Sequence, residues 1–302
     1  MYDVLPKLSE QPTDIVGHVQ KEAAGSTGLA AGIPVAAGMM DMLACLVGAG
    51  GTADGAYTAI AGSWCINETH SSRIIPDVSS NMPYLYKGEY LNGSFTGASG
   101  SNYEWFTRIL GGTAKLEAQQ KGVSYYHVLD DLIRNVSIDK VKVFFSPFVA
   151  QPSIHMNAKA NFFNIDLNTS YGDMCYAVAE GVAFIHKYHV DDLKKSGLPL
   201  KVIRLTGGIA RSSVWSQIFA DVLRAPVEGV ECEETGALGA AITAGIGAGV
   251  YIDYEDASEK AIKVKAPVMP DETVWPVYKK RYDEWSGLNN LMKQYWEKKG
   301  EV

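Results

Sequence analysis

The sequence predicts an α/β fold, because three segments pair a short apolar or β-branched run with a glycine break and a change of direction. The first is KVIRLTGGIARSSVWSQIFADVL, Lys201 to Leu223, where a strand stops at Thr206-Gly207-Gly208 and is followed by a helix that Ser212 or Ser213 can cap. A strand that ends in paired glycines and restarts as a helix brings bare backbone N–H groups and a helix N-terminus to one spot, where an anion or a nucleotide can sit. The second is IPVAAGMMDMLACLVGAGG, Ile33 to Gly51, and the third is the run from Ala56 to Asn67.

Taken in order, Glu10 to Gly28 is polar and reads as a loop and a short helix. Ile33 to Ala37 reads as a short buried strand, Gly38 breaks it, and Met39 to Val47 reads as a helix. The first turn of that helix carries Asp41, the one charge between Ile33 and Asp54. A carboxylate in so apolar a run is solvated by a cleft, paired, or used. The positive end of the helix dipole favours its ionised form, the form that takes a proton. A strand from Ala56 to Ala61 then turns at Gly62-Ser63 into a return strand, Trp64 to Asn67. Glycine is suited to such a turn, and the Ser63 hydroxyl stands beside the turn amides, so an oxyanion or phosphate finds several donors there.

Thr69 to Phe95 holds Pro76, Pro83, Gly88 and Gly93 among aromatics, which predicts a loop-rich excursion with a short strand or two. Tyr103 to Leu116 and Ser124 to Asn135 carry helical patterns, and Val141 to Phe145 is a strand. Asp173 to Lys195 is a long helix, closed by the cationic and glycine stop Lys194-Lys195-Ser196-Gly197. Gly239, Ala240, Ala241, Ala244, Gly245 and Gly249 offer small residues for close helix approach. In Trp275 to Lys299, Tyr278, Tyr282, Trp285, Leu288, Met292 and Tyr295 recur at helical spacing, a packing face that docks on the body of the protein.

Composition bounds the partners. A length of 302 residues predicts about two domains with a sizeable core. A net charge of -7 and the lack of a Lys/Arg cluster argue against nucleic acid and anionic membrane as partners. The sequence has no uninterrupted apolar span of about 18 residues, and MYDVLPKLSEQPTD has no basic region leading into an apolar stretch, so a cytoplasmic protein is expected. Cys45, Cys65, Cys175 and Cys232 form no CxxC pair and read as reduced packing residues. His186 and His189 lie one helical turn apart without a cysteine nearby, so no metal site is read from them.

With these residues in view, the chain resembles the FGGY carbohydrate kinases, which share the actin-like, ribonuclease-H-like fold. The resemblance rests on GxPVxxGxxD (Gly32 to Asp41), the Gly62-Ser63 hairpin, Gly207-Gly208 with the ARSSVWSQIFADVL helix, and GALGAAITAGIGAG (Gly236 to Gly249). It takes in GAS at Gly97 to Ser99, SPF at Ser146 to Phe148 and EGVAF at Glu180 to Phe184, and so covers nearly the whole chain up to Val250. Each motif alone is weak; their order and spacing together are specific. The departure is one of length: family members are markedly longer and open with a DxGT-type phosphate hairpin and a lobe that supplies most sugar contacts, and nothing of that kind precedes Asp41 here. The expectation is therefore that residues 1–55 form the C-terminal end of a first lobe, and 56–302 a complete second lobe with a helical tail.

The resemblance implies transfer of the γ-phosphoryl group of ATP to a sugar or polyol hydroxyl, with Mg²⁺ bridging phosphate oxygens. Asp41 would be the base, Gly62 and Ser63 would hold the transferring phosphate, and Gly97, Gly207, Gly208 and Ser212 would meet the nucleotide. TGLAAGIPVAAGMMD has the flavour of the branch acting on ketopentoses such as xylulose or ribulose, with aldonates and tetritols as alternatives, and a homodimer is left open. The rival readings are a catalytically inert nucleotide-binding fragment of such a kinase, or another actin-like ATPase. A nicotinamide dehydrogenase is disfavoured, because no GxGxxG follows a strand with an acidic residue about 20 positions on.

Overall fold

Two strands joined at Gly62-Ser63 form the centre of a six-stranded mixed sheet in the computed structural model, which describes residues 9–150, 152–195 and 197–299. The N-terminal hairpin comprises β1 (Ile15–His18) and β2 (Pro34–Ala36), flanking α1 (Lys21–Thr27), and leads into α2 (Asp41–Gly48). The sheet is built from β3 (Ala56–Ala61), β4 (Cys65–Ser71), β5 (Ser80–Pro83) and β6 (Tyr90–Thr96). After α3 (Gly100–Leu110), α4 (Gly112–Lys121) and α5 (Tyr125–Arg134) comes a small hairpin of β7 (Phe144–Ser146) and β8 (Asn161–Phe163). Then follow α6 (Tyr171–Lys194), β9 (Val202–Thr206), a 3₁₀ turn (Gly208–Arg211), α7 (Ser213–Leu223), β10 (Val227–Glu228), α8 (Thr235–Gly247), α9 (Tyr254–Ala261) and α10 (Trp275–Lys299).

The sheet order is β10-β9-β3-β4-β6-β5. β10, β9 and β3 run parallel, and β4, β6 and β5 continue as an antiparallel meander. On one face lies α6, whose N-terminus is fixed by a Ser170/Asp173 capping box and whose central stretch from Cys175 to His186 is buried throughout. That face holds the main core, Tyr57, Ala59 and Ala61 of β3 against Val182, Phe184 and Ile185, with Trp215 and Phe219 of α7. The other face is covered by α2 and α8 over a smaller cluster that includes Leu43, Leu46, Leu91 and Ile242. These two helices cross at backbone distance. A Cβ on Gly48 would collide with the Thr235 carbonyl oxygen, and one on Gly239 with that of Ala44, so the small-residue series in α8 is a close-approach surface.

The tail helix docks through Tyr278, Trp285 and Trp296, which are buried. Tyr295, expected on that face, is half exposed, and its neighbour Trp296 takes the place, stacked edge-on to Phe148. Arg281, not anticipated, is buried and clamps Glu180 of α6 through Nε and Nη2, with further bonds to the Val141 and Val143 carbonyls. Other expectations are corrected. Ile33 and Val35 are substantially exposed, because the two-stranded hairpin stands apart from the six-stranded sheet, against the end of α8. The helix expected over Tyr103 to Leu116 breaks at Gly111, where a side chain would strike Thr107 O and the Tyr125 hydroxyl. The 141–145 strand is displaced to Phe144–Ser146, and β1, β8, β10 and α9 were not foreseen. Cys232 is exposed rather than packed, and Ser196 of the expected helix stop lies outside the described residues.

Candidate active site

Three turns meet at the ends of β3, β6 and β9. The Gly62-Ser63 turn closes the β3/β4 hairpin. The turn after β6 is bonded onto it: Ser99 N donates to Ser63 O at 3.0 Å, Gly100 N to Gly62 O at 2.7 Å, and Ser101 Oγ to Ser63 O at 2.8 Å. From the other side comes Gly207 in the left-handed region (φ 93°). A Cβ there would lie 2.6–2.7 Å from Ala61 C, Ala61 O and Gly62 N. Gly207 is thus demanded by backbone-on-backbone packing, whereas a Cβ on Gly208 or on Gly62 would meet nothing within 4 Å. The sequence motif joins two different physical needs: one glycine seats the turn and the next leaves a space open.

That space is a cavity of about 630 Å³, walled by the turns at Ala61 to Ser63, Gly100-Ser101 and Gly208-Ile209, by Tyr103, Glu104 and Trp215, and by Tyr126 and Asp130 of α5 with Arg211 and Ser212. Its volume and its mixture of bare backbone with aromatic walls suit a mononucleotide. Gly62, Ser63, Gly208 and Ser212 are therefore brought together. Gly97 is buried in the turn behind, and Gly100 and Ser101 stand on the wall in its place. Gly207 borders a second, smaller cavity of about 200 Å³ on the far side of the turn, with Arg211, Cys232, Glu233 and Lys265. Arg211 touches both cavities and pairs with Glu233 at 2.8 Å.

Ser212 does more than face the cavity. Its Oγ accepts from Trp215 N at 3.2 Å, capping α7, and donates to Asp130 Oδ2 at 2.8 Å. The hydroxyl hydrogen is spent on Asp130, so the group this pair turns to the cavity is a carboxylate. Burial raises the Asp130 pKa from its ordinary value, and the Ser212 bond and the charge on Arg134 oppose that shift. Nothing in the DDLIR stretch marks Asp130 as a site residue, because a helical aspartate reads as a solvated face until α7 is laid beside it.

Asp41 stands apart from this cavity, exposed at the first position of α2. Its Oδ1 accepts from Met42 N at 2.7 Å, satisfying one of the free donors of the helix end. Beneath α2 lies Glu68, fully buried on β4 with neither carboxylate oxygen hydrogen-bonded. Burial, reinforced by the charge on Asp41, pushes the Glu68 carboxyl well above its ordinary pKa, so it holds a proton while Asp41 carries the exposed charge. Behind the turns, His186 bridges Asn67 Oδ1 (2.8 Å) and Ser99 Oγ (2.9 Å), fixing the residue whose amide bonds Ser63. Its burial depresses the imidazole pKa to about 3, and burial does the same for His189, so both are neutral. Among the described residues no group of three or more His, Cys, Asp or Glu side chains is arranged to hold a metal ion, and no helix is long and apolar enough to cross a membrane.

Comparison with known proteins agrees with this architecture. Residues 57–248 match the family model described as the C-terminal domain of the FGGY family of carbohydrate kinases. The L-xylulose/3-keto-L-gulonate kinase of Escherichia coli K12 is 30% identical over 281 residues, which cover 91% of this chain and 54% of that protein. The autoinducer-2 kinase of Yersinia enterocolitica is 27% identical over 295 residues, covering 95% and 55%. The crystal structure of xylulose kinase from Rhodospirillum rubrum superposes with a TM-score of 0.79 at 27% identity, over 96% of this chain and 58% of that one. The chain thus spans about half the length of the curated relatives it matches. With the model covering most of the chain and the fold shared with xylulose kinase, this chain belongs to the FGGY family of carbohydrate kinases.

Proposed function

We propose that the chain is the nucleotide-holding part of an ATP-dependent sugar kinase that phosphorylates a ketopentose such as xylulose or ribulose. The observation that carries the reading is the convergence of Gly62-Ser63, Gly100-Ser101 and Gly208 on one open cavity, with backbone amides at its edge and no side chain in the way. In this reading residues 1–55 end the first lobe and 56–302 form the second. The ketopentose rests on the names of the relatives, an L-xylulose/3-keto-L-gulonate kinase and a xylulose kinase.

The chemistry divides between the two sides of the sheet. The Gly62-Ser63 turn would meet the transferring phosphate and the Gly208 turn the rest of the nucleotide chain, positioning and charge stabilisation being the main sources of rate in phosphoryl transfer. Mg²⁺ bound to the phosphate oxygens supplies charge neutralisation, and it would meet this chain through the nucleotide, since magnesium keeps several waters and needs few protein ligands. Asp41 would accept the proton of the attacking hydroxyl, a step worth about 10²–10⁴-fold in rate. The helix end favours its ionised form, and Glu68, which keeps its own proton, adds no second negative charge.

Two measurements test the reading. Gly208→Val places a side chain into open space without touching the fold, so calorimetric titration should show nucleotide affinity lost and the melting temperature kept. Sugar affinity lost with nucleotide affinity intact would contradict the assignment. Asp41→Asn, with turnover assayed in the catalytically complete kinase, should fall by roughly 10²-fold or more at unchanged nucleotide affinity. Near-normal turnover would make Asp41 structural.

A further inference from the structure

We propose that Asp130 is a specificity-determining residue of the nucleotide cavity, accepting a hydrogen bond from a ribose hydroxyl and so selecting ribonucleotides over deoxyribonucleotides. The inference rests on the reading of the 630 Å³ cavity as a nucleotide site and goes beyond it by naming what one wall recognises.

Three observations carry it. First, Asp130 is the one half-buried carboxylate on the wall; the other, Glu104, is exposed. Ser212 donates to Asp130 Oδ2 at 2.8 Å while capping α7, so the carboxylate is tied to the same turn that carries Gly208 and is held in place before any ligand arrives. Second, an ionised carboxylate only accepts hydrogen bonds. Beside a phosphate it would be repelled, and against a nucleotide it can pair only with a ribose hydroxyl or an exocyclic amine. A bond of this kind also offsets the burial that disfavours the charged form.

Third, position along the cavity separates those two donors. Gly208 begins the 3₁₀ turn and Ser212 ends it, about 2 Å of rise per residue further on. That is the reach of a pentose from its 5′-phosphate. Tyr126 lies four residues before Asp130 on the same face of α5 and is 58% exposed, a flat aromatic wall on which the base can lie. With a phosphate at the Gly208 turn and Asp130 tied to the end of that turn, Tyr126, one helical turn away on α5 and on the same cavity wall, is the surface left for the base.

The test titrates the whole 302-residue chain, with Mg²⁺ present, with ATP, 2′-deoxyATP, 3′-deoxyATP and ITP. The chain should bind ATP about 10-fold or more tighter than at least one deoxy analogue, the discrimination typical of one lost charge-assisted bond. Asp130→Asn should lose most of that discrimination, by weakening ATP while leaving the deoxy analogue nearly unchanged. Asp130→Ala should do the same and keeps the test valid if the first variant melts early. Equal weakening of ATP and both deoxy analogues, as Ser212→Ala would give if the pair served only to anchor α7, overturns the proposal. So does discrimination confined to ITP, which would assign the carboxylate to the base amine. A folded wild-type chain that binds none of the four nucleotides overturns the nucleotide reading itself, and this inference with it.

Discussion

The two faces of the six-stranded sheet are built to different standards of polar satisfaction. Toward α6, the buried polar side chains of the strands themselves are paired, Asn67 with His186, Ser94 with His189 at 2.8 Å, and Thr69 with the Ala56 carbonyl, although the Tyr103 and Tyr171 hydroxyls in the core beyond them have no partner. Toward α2 and α8, Thr58 Oγ1, both oxygens of Glu68, His70 Nε2, Tyr84 Oη and Arg204 Nε are buried without a hydrogen-bond partner. Thr58 sits opposite Glu68 on one side and Arg204 on the other, so three of these five residues form a single cross-strand row. The α6 face is the scaffold that fixes the Gly62-Ser63 and Ser99-Gly100 turns from behind. The α2 face is less completely satisfied, and it is the face whose covering helix begins at Asp41.

The largest effect that could break this contrast is catalytic. The 302-residue chain should fold on its α6-side core yet release negligible ADP in the presence of a ketopentose, because stabilising the transferring group needs donors from both sides and closure that excludes water. The Escherichia coli L-xylulose/3-keto-L-gulonate kinase, assayed at equal concentration, is the reference. Turnover by this chain at that rate would show that Asp41 and its face need no further covering.

Next comes the anchor behind α6. Arg281→Met leaves Glu180 as a buried carboxylate without its guanidinium, and chemical denaturation should show about 3–5 kcal/mol lost. A loss under 1 kcal/mol, on the scale of a surface pair, would mean that the tail helix adds little to the scaffold.

Acid should then attack the α6 face selectively. His186 and His189 have ordinary values of 6.5 and folded values of about 3, so the unfolded chain binds their protons first. Their contribution is present above pH 6.5 and is lost as pH falls toward 3. Two such groups give a slope of up to about 2.7 kcal/mol per pH unit. Urea midpoints at a series of pH values, compared between wild type and His189→Gln, check this; an unchanged slope in the variant would contradict it.

The smallest effect has the opposite sign and belongs to the α2 face. Glu68 has a raised folded pKa, so its contribution is present below the ordinary value of 4.5 and is lost as pH rises through the folded value. Glu68→Gln removes that loss, and the melting temperature should rise near neutral pH by on the order of 2–4 °C, with no gain at pH 4. A variant that melts lower at neutral pH would mean that the charged carboxylate is paired in solution.

Which parts were legible beforehand follows the range of the interactions. β3, the Gly62-Ser63 turn, β9 and α7 were readable because period, glycine breaks and a serine cap are local signals, and each lies within a few residues. The break at Gly111 was not, because the Tyr125 hydroxyl that occupies the space of its missing side chain comes from the next helix but one. β10 and β8 were missed because two- and three-residue strands have no period to detect; they exist through the partner they pair with. Of the cavity wall, the turn at Gly208 and the cap at Ser212 had local signals and Asp130 had none.

The sequence by itself determined the α/β class, the position of the glycine turns after β3 and β9, the acidic residue at the head of α2 and the aromatic docking face of the tail. All of these rest on contacts within a turn or two of chain. Only the tertiary structure decided that Gly207 is needed for packing while Gly208 opens a cavity, that Gly100 rather than Gly97 reaches the wall, that Trp296 displaces Tyr295, and that Ser212 presents Asp130. Those outcomes depend on which groups are brought together from distant parts of the chain, as the Gly207 turn is against the Ala61 backbone, or the Ser212 hydroxyl to 2.8 Å from the Asp130 carboxylate, 82 positions away. Such proximity has no local signature, since it arises only when layers with separate hydrophobic faces close on a common sheet.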